Sequence, residues 1–164
     1  MTHRPEIRAL AGPVTLVGIF LILVPIVNIA PEIWPVKLAE RPWRFGSLGL
    51  VLSASMFPTV GLACLLWAGV LRESANWVRQ AARMSGLLAV VGVVGLVFFA
   101  LDGATLARAA GETMSGTFWA AIVRTIGIGV LVVPVLAGLC VAGLRTARAM
   151  GLETTRASGL VVGS

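Results

Sequence analysis

Histidine occurs once in these 164 residues, at position 3, tyrosine not at all, and acidic side chains only seven times. Each scarcity removes a class of function. With no imidazole inside an apolar stretch, the chain has no intramembrane histidine to ligate haem, chlorophyll or a metal. The acids lie in loops and at segment ends, with Glu32 and Glu40 the nearest companions, so no paired-carboxylate site assembles. Cys64 and Cys140 both fall within apolar stretches and no Cys-x-x-Cys occurs. They read as small buried hydrophobes, not as a redox pair. The expectation is a protein that is not an enzyme and ligates neither metal nor cofactor, while bound lipid or quinone stays compatible with it.

Charge is equally sparse. Charged residues make up 12% of the chain and hydrophobic ones 58%, against roughly 25% charged in a soluble domain, and the mean hydropathy is +0.97. Four long apolar runs stand out, at residues 9–30, 45–71, 84–101 and 117–144. Each is close to or above the ~20 residues that carry a helix across ~30 Å of hydrocarbon. None alternates polar and apolar positions as a barrel strand does. The fold class expected is therefore an all-α integral membrane protein, one domain of four transmembrane helices in a compact bundle, with a short cytoplasmic tail over residues 145–164.

The net charge of +6 does not point to nucleic acid, because the basic residues fall in short clusters at the ends of spans. They act as topology signals. Arg4, Arg8, Arg72, Arg79, Arg83, Arg145, Arg148 and Arg156 would share one side, against Lys37, Arg41, Arg44, Arg108 and Arg124 elsewhere. The positive-inside rule then sets both termini in the cytoplasm of a bacterial inner membrane. The basic leader before the first run also has the form of a signal peptide. Asn28 and Pro31 around Ala30 disfavour cleavage, and the segment is expected to be retained as a span.

Within the spans, Pro25, Pro58 and Pro134 are expected to bend their helices, with Ser53, Ser55 and Thr59 beside Pro58 to take up freed backbone groups. No span contains a Gly-x-x-x-Gly, so helix contacts are expected along looser stripes such as Gly46, Gly49 and Ser53, or Gly92 and Gly95. The connection "RESANWVRQAARMSG" reads as a short helix at the headgroup level, with Trp77 and, on the opposite side, Trp119 as interfacial anchors. Beyond Arg145 the pattern is that of a fraying helix end.

Two features carry the functional reading. Asp102 and Arg124 lie near the outer ends of consecutive spans, at matching depth, and are expected to form an ion pair or, in a small transporter or channel, to line a pathway. The first loop, "NIAPEIWPVKLAERPWRFG", is rich in proline, tryptophan and charge. Pro31, Pro35 and Pro42 stiffen it, Trp34 and Trp43 hold it at the membrane boundary, and Lys37, Arg41 and Arg44 offer cations. That makes an ordered elbow suited to docking lipid headgroups or another membrane subunit.

The order of this loop ("APEIWPVKLAERPWRFG"), a second span with proline and glycine ("SMFPTVGLACLLWAG") and a third ending "LVFFALDGATLARAA" resembles the membrane part of cyanobacterial hormogonium polysaccharide biosynthesis proteins of the HpsJ type, over roughly residues 10–110. That resemblance implies a non-enzymatic role linked to exported polysaccharide and motility. Where that family continues into a Gln/Glu-rich helical region, this chain has a fourth span. The expected function is a non-catalytic accessory or scaffolding subunit, with other integral membrane subunits and lipids as partners. Its assembly would be a polysaccharide-export, respiratory or photosynthetic one.

Overall fold

The computed structural model describes residues 8–109 and 111–161, the side chains of 111–115 and 152–161 excepted. His3 and Arg4 lie outside it, as does the side chain of Arg156. Five helices follow one another: α1 (Ala11–Ile33), α2 (Arg41–Ala54), α3 (Met56–Leu71), α4 (Ala75–Ala109) and α5 (Gly111–Val161), and no strand occurs among the described residues. Three of them, α1, α4 and residues 116–151 of α5, are long and apolar enough to cross a bilayer. The pair α2 and α3, bent by 40°, makes a fourth if it is taken as one broken span. Only 17–22% of the residues in the three span windows are buried. In water so many outward-facing Leu, Val and Phe side chains would form a patch far beyond the few hundred Å² a soluble monomer exposes. Hydrocarbon is the solvent that fits this surface.

The bend lies at Ser55, three residues before Pro58. Proline has no N–H to give the carbonyl of Ala54, four residues back, and its ring crowds that carbonyl, so the ladder breaks there. Hydroxyls brace the break on both sides: Ser55 donates to the Leu52 carbonyl and Thr59 to the Ser55 carbonyl. Ser53 bonds back to Gly49.

The framework is the antiparallel hairpin of α4 and α5. Gly143 lies against Ala82, Gly86 against Cys140, Gly92 against Val133, Gly129 against Leu96 and Gly103 against Ile122. The two helices therefore run side by side in constant register. Three apolar layers stack along them. Leu66, Val78, Ala82 and Ala147 close one end; Leu62, Ala89, Val132 and Leu136 fill the middle; Leu52, Phe99, Ala107 and Ile122 fill the other end. Of the expected small-residue stripes, Gly92 and Gly95 do meet neighbours, on Val133 and on Leu48 with Leu52, and Gly49 meets Phe99, whereas Gly46 meets nothing within 4 Å.

Helix α1 is held by α3. At their crossing, a Cβ on Gly61 would come within 2.7 Å of the Gly18 carbonyl oxygen, and one on Gly18 within 2.9 Å of the Gly61 oxygen. Below this crossing Arg72 donates to the Thr15 hydroxyl at 3.1 Å and stacks over the Trp77 ring, while Arg8 pairs with Glu73. The intervening turn is short. Ser74 N–H bonds the Gly69 carbonyl and Glu73 N–H the Val70 carbonyl, with Glu73 at φ 53°, which is a Schellman ending with a non-glycine residue in the left-handed position.

Three expectations about connections change. The stretch after Arg72 is no separate interfacial helix: only residues 72–74 turn, and Ala75 begins α4. The third connection does not open at Asp102: α4 runs on to Ala109, with Ala104, Leu106, Ala107 and Arg108 as helix formers, and α5 begins at Gly111. The tail does not fray at Arg145, since Ala147, Arg148, Ala149 and Met150 are strong helix formers and α5 continues through Val161.

Two predictions concern stability in detergent. Gly61→Val forces a side chain onto backbone that cannot yield, and is expected to destabilise the protein by about 1–3 kcal/mol, read from its thermal midpoint. At the turn, Glu73→Gly is expected to be more stable than Glu73→Ala by about 1 kcal/mol, since both lose the carboxylate and only glycine relieves the left-handed backbone; equal midpoints would remove that account.

Candidate functional site

Polar chemistry concentrates where α1 hands over to α2. The peptide Trp34–Pro35 is cis, and the loop beyond it is tied at three places. Trp43, in the first turn of α2, donates its indole N–H to the Ile33 carbonyl at 3.1 Å. Arg44 donates from Nη1 to the Leu38 carbonyl at 3.1 Å. Glu40 N–H bonds the Lys37 carbonyl at 2.9 Å, and the same two residues form an exposed ion pair at 3.3 Å. Pro42 in the first turn of α2 costs no hydrogen bond, because the N–H groups there have no intrahelical acceptor. The loop is an ordered elbow whose order comes from α2 reaching back.

The strongest interaction joins α2 to α4. Arg44 meets Asp102 side-on, Nε to Oδ2 and Nη2 to Oδ1, both at 2.9 Å. With Leu38 on Nη1, all three guanidinium nitrogens are engaged. The Asp102 side chain is 9% exposed and that of Arg44 30%. Beneath the pair, Phe45 stacks on Phe99 with centroids 4.6 Å apart and planes 10° from parallel, and meets Phe118 at 5.9 Å. Thr105 donates to the Asp102 carbonyl. This fork geometry is the form in which arginine and carboxylate pair most strongly.

The Asp102–Arg124 pair expected from the sequence is not formed. Arg44 takes both carboxylate oxygens, and Arg124 is exposed on α5, where a stem of its length allows the charge to reach the headgroups. Arg44 adjoins Phe45 and Asp102 follows Phe99 by three, so the ring stack and the ion pair join the same stretches of α2 and α4, a pairing that shows only once the two helices are packed. Of the loop residues, Trp43 and Arg44 are spent on internal bonds. Trp34 is 77% exposed, and Lys37 and Arg41 are exposed. Trp119 is 51% exposed near the same end, and Trp77, at the other, gives its indole N–H to the Leu65 carbonyl. Both cysteines are free thiols. Among the described residues no three His, Cys, Asp or Glu side chains converge.

Apolar hollows flank this end. One of about 410 Å³ lies between α1 and the bend, against Ile26, Ile29, Ile33, Trp34, Val51 and Pro58. Another of about 460 Å³ runs under Arg44, against Ile33, Leu38, Leu48, Val51 and Phe98. An interior cavity of about 130 Å³ between α2, α3, α4 and α5 is lined by aliphatic side chains with Ser55 and Thr59, whose hydroxyls are already bonded within their own helices.

A partner removed from a low-dielectric ion pair leaves an uncompensated charge. Asp102→Asn is therefore expected to lower the thermal midpoint well beyond Glu40→Gln, which breaks only the exposed Lys37 pair. The joint replacement Arg44→Met with Asp102→Leu is expected to recover most of the loss. Equal small losses for Asp102→Asn and Glu40→Gln would show that the pair holds nothing together. No protein-family model, curated protein or solved structure matches the chain.

Proposed function

We propose that this is a four-span helical bundle of a bacterial cytoplasmic membrane, with both termini inside, acting as a non-catalytic accessory or scaffolding subunit of a larger membrane assembly. The observation that carries the reading is Trp34, 77% exposed where α1 ends and the loop begins, in a connection held at Ile33, Leu38 and Lys37. A rigid, exposed tryptophan loses little entropy on docking, and such residues anchor interfaces. Lys37 nearby is held only in an exposed pair with Glu40, the kind of contact weak enough to be exchanged for a partner carboxylate.

The charge distribution supports the orientation. Contacts of Arg8 with Glu73, of Arg72 with Thr15, and of Gly143 with Ala82 gather Arg8, Arg72, Arg79, Arg83, Arg145 and Arg148 at one end of the molecule. At the other end Arg44 is matched by Asp102 and Lys37 by Glu40. The first end is the one that the positive-inside rule retains in the cytoplasm. Transport through Asp102 gains no support: the carboxylate is engaged by arginine, and its surroundings are Phe45, Phe99, Ala107 and Ile122. The kind of assembly, whether for polysaccharide export or for respiratory or photosynthetic energy transduction, follows from what the chain travels with.

The test is purification of the tagged chain in mild detergent from its native membrane, with mass spectrometry of its companions. A stoichiometric set of membrane subunits is expected, depleted about tenfold by Trp34→Ala with Lys37→Ala. Recovery of the chain alone, or companions indifferent to those substitutions, would sink the accessory reading.

A further inference from the structure

We propose that the open face of the α4–α5 hairpin, at the end where its arginines gather, binds one phospholipid with two phosphates, a diphosphatidylglycerol. Arg79 and Arg83 of α4 take one phosphate, and Arg145 and Arg148 of α5 take the other.

The register of the hairpin brings the two pairs together. Ala82 lies against Gly143 and Gly86 against Cys140, so Arg79 stands level with Thr146, between Arg145 and Arg148, and Arg83 lies about one turn deeper. The helical repeat of about 100° per residue fixes the side. On α4, the path from Val78, which touches Gly69 of α3, through Gly86, which touches α5, leads about 20° further to Arg79 and about 60° to Arg83. On α5, the path from Gly143, which touches Leu66 of α3, through Cys140, which touches α4, leads about 80° further to Arg148 and about 140° to Arg145. All four stand along the seam on the side away from α3, with Arg79 half-buried and the other three exposed.

Two features select the occupant. The first is charge. At this end Arg8 is held by Glu73, and Arg72 by Thr15 and the Trp77 ring. The four hairpin arginines make no side-chain hydrogen bond or ion pair among the described residues. The nearest acidic position along α5, 153, stands about 12 Å of rise beyond Arg145 and about 140° around the helix from Arg148. Like charges gathered in this way repel until an anion joins them. A zwitterionic headgroup brings its own ammonium, and a single phosphate leaves one pair unmatched. Two phosphates serve both pairs through charge-assisted hydrogen bonds. The second feature is depth. Arg83 and Asp102 are nineteen positions apart on α4, and Arg124 and Arg145 twenty-one on α5, about 28 and 31 Å of rise. That equals the ~30 Å of hydrocarbon, so the cluster lies at the level of lipid phosphates, where basic groups between spans meet anionic headgroups. Beneath it, exposed Leu87, Val90 and Val141 give the acyl chains an aliphatic wall.

This inference rests on neither the accessory reading nor the orientation. The full chain is reconstituted into vesicles of equal phosphatidylethanolamine, phosphatidylglycerol and diphosphatidylglycerol, re-extracted in mild detergent, and weighed by native mass spectrometry. One diphosphatidylglycerol per chain is expected to survive, in about tenfold preference over phosphatidylglycerol. Arg79→Gln with Arg148→Gln is expected to reduce that adduct about tenfold, and Arg79→Lys with Arg148→Lys, which keeps the charge, to retain more than half of it. Arg108→Gln with Arg124→Gln removes the same charge from the other end and is expected to leave it unchanged. Should the glutamine pair insert poorly, the wild type alone decides: diphosphatidylglycerol titrated in detergent is expected to raise the thermal midpoint to a plateau at one per chain, and phosphatidylglycerol at equal phosphate less than half as far. The site would be overturned by a wild type that keeps no lipid or keeps phosphatidylglycerol equally well. An adduct indifferent to Arg79→Gln with Arg148→Gln, one lost equally with Arg108 and Arg124, or one displaced by inorganic phosphate would overturn it too.

Discussion

Helices in hydrocarbon gain nothing by hiding apolar side chains from one another, because the lipid is as apolar as leucine. What holds them is close approach, and close approach needs small residues. The structure obeys this constraint at each major contact. The hairpin of α4 and α5 meets through Ala82 with Gly143, Gly86 with Cys140, and Gly92, Gly103 and Gly129 against branched side chains. Helix α1 is attached where two glycines let the α1 and α3 backbones touch. Of the 19 glycines in 164 residues, ten among the described residues sit against a neighbour within 4 Å and serve as contact points.

The bent α2–α3 unit is the element that packing alone does not place. Its lower part is held by α1 and by the Leu62 and Leu66 layers. Above the break it needs a different tie, and Arg44 with Asp102 supplies one, reinforced by Phe45 on Phe99. The same arginine holds Leu38, and its neighbour Trp43 holds Ile33, so one helical turn orients α2, orders the loop and fixes the exit of α1. Order in the loop and tilt of the helix have one cause.

The membrane class was legible in the sequence because composition decides it; of the four spans expected, three stand as single long apolar helices and the fourth only if the bent α2–α3 pair is counted as one. The span ends were not legible, because residues 75–83 and 102–109 are polar enough to resemble loops while their Ala, Leu and Arg content still propagates helix from the adjoining span. Pro58 announced a bend and the bend is there, though hydroxyls from Ser55 and Thr59 serve the carbonyls of Leu52 and Ser55 and not that of Ala54. Asp102 was recognisable as an unusual acid. Its partner was not, since consecutive spans point to Arg124, and choosing Arg44 requires knowing that α2 tilts across α4. The elbow was legible only in part: the connection is residues 34–40, with Pro31 inside α1 and Pro42 in the first turn of α2, so of the three prolines only Pro35 lies in the non-helical stretch. That Trp43 is bound inward and Trp34 left outward depends on which one follows the start of α2, a matter of a single residue's register.

The two ends of the molecule treat charge in opposite ways, and this difference shapes what each can do. At the Arg72 end, arginines from three helices stand together with Glu73 as the one acid among the side chains described there, so that end is drawn to a negative surface whatever lipid supplies it. At the Trp34 end Lys37 is paired with Glu40 and Arg44 with Asp102, while Arg41, Arg108 and Arg124 add exposed cations. The two ends therefore differ less in sign than in how charge is held: only here is a carboxylate, Asp102, buried under the arginine that engages it. That pair is spent on holding α2 to α4, and the contact surface left at this end is the exposed indole of Trp34 with the apolar hollows beside it.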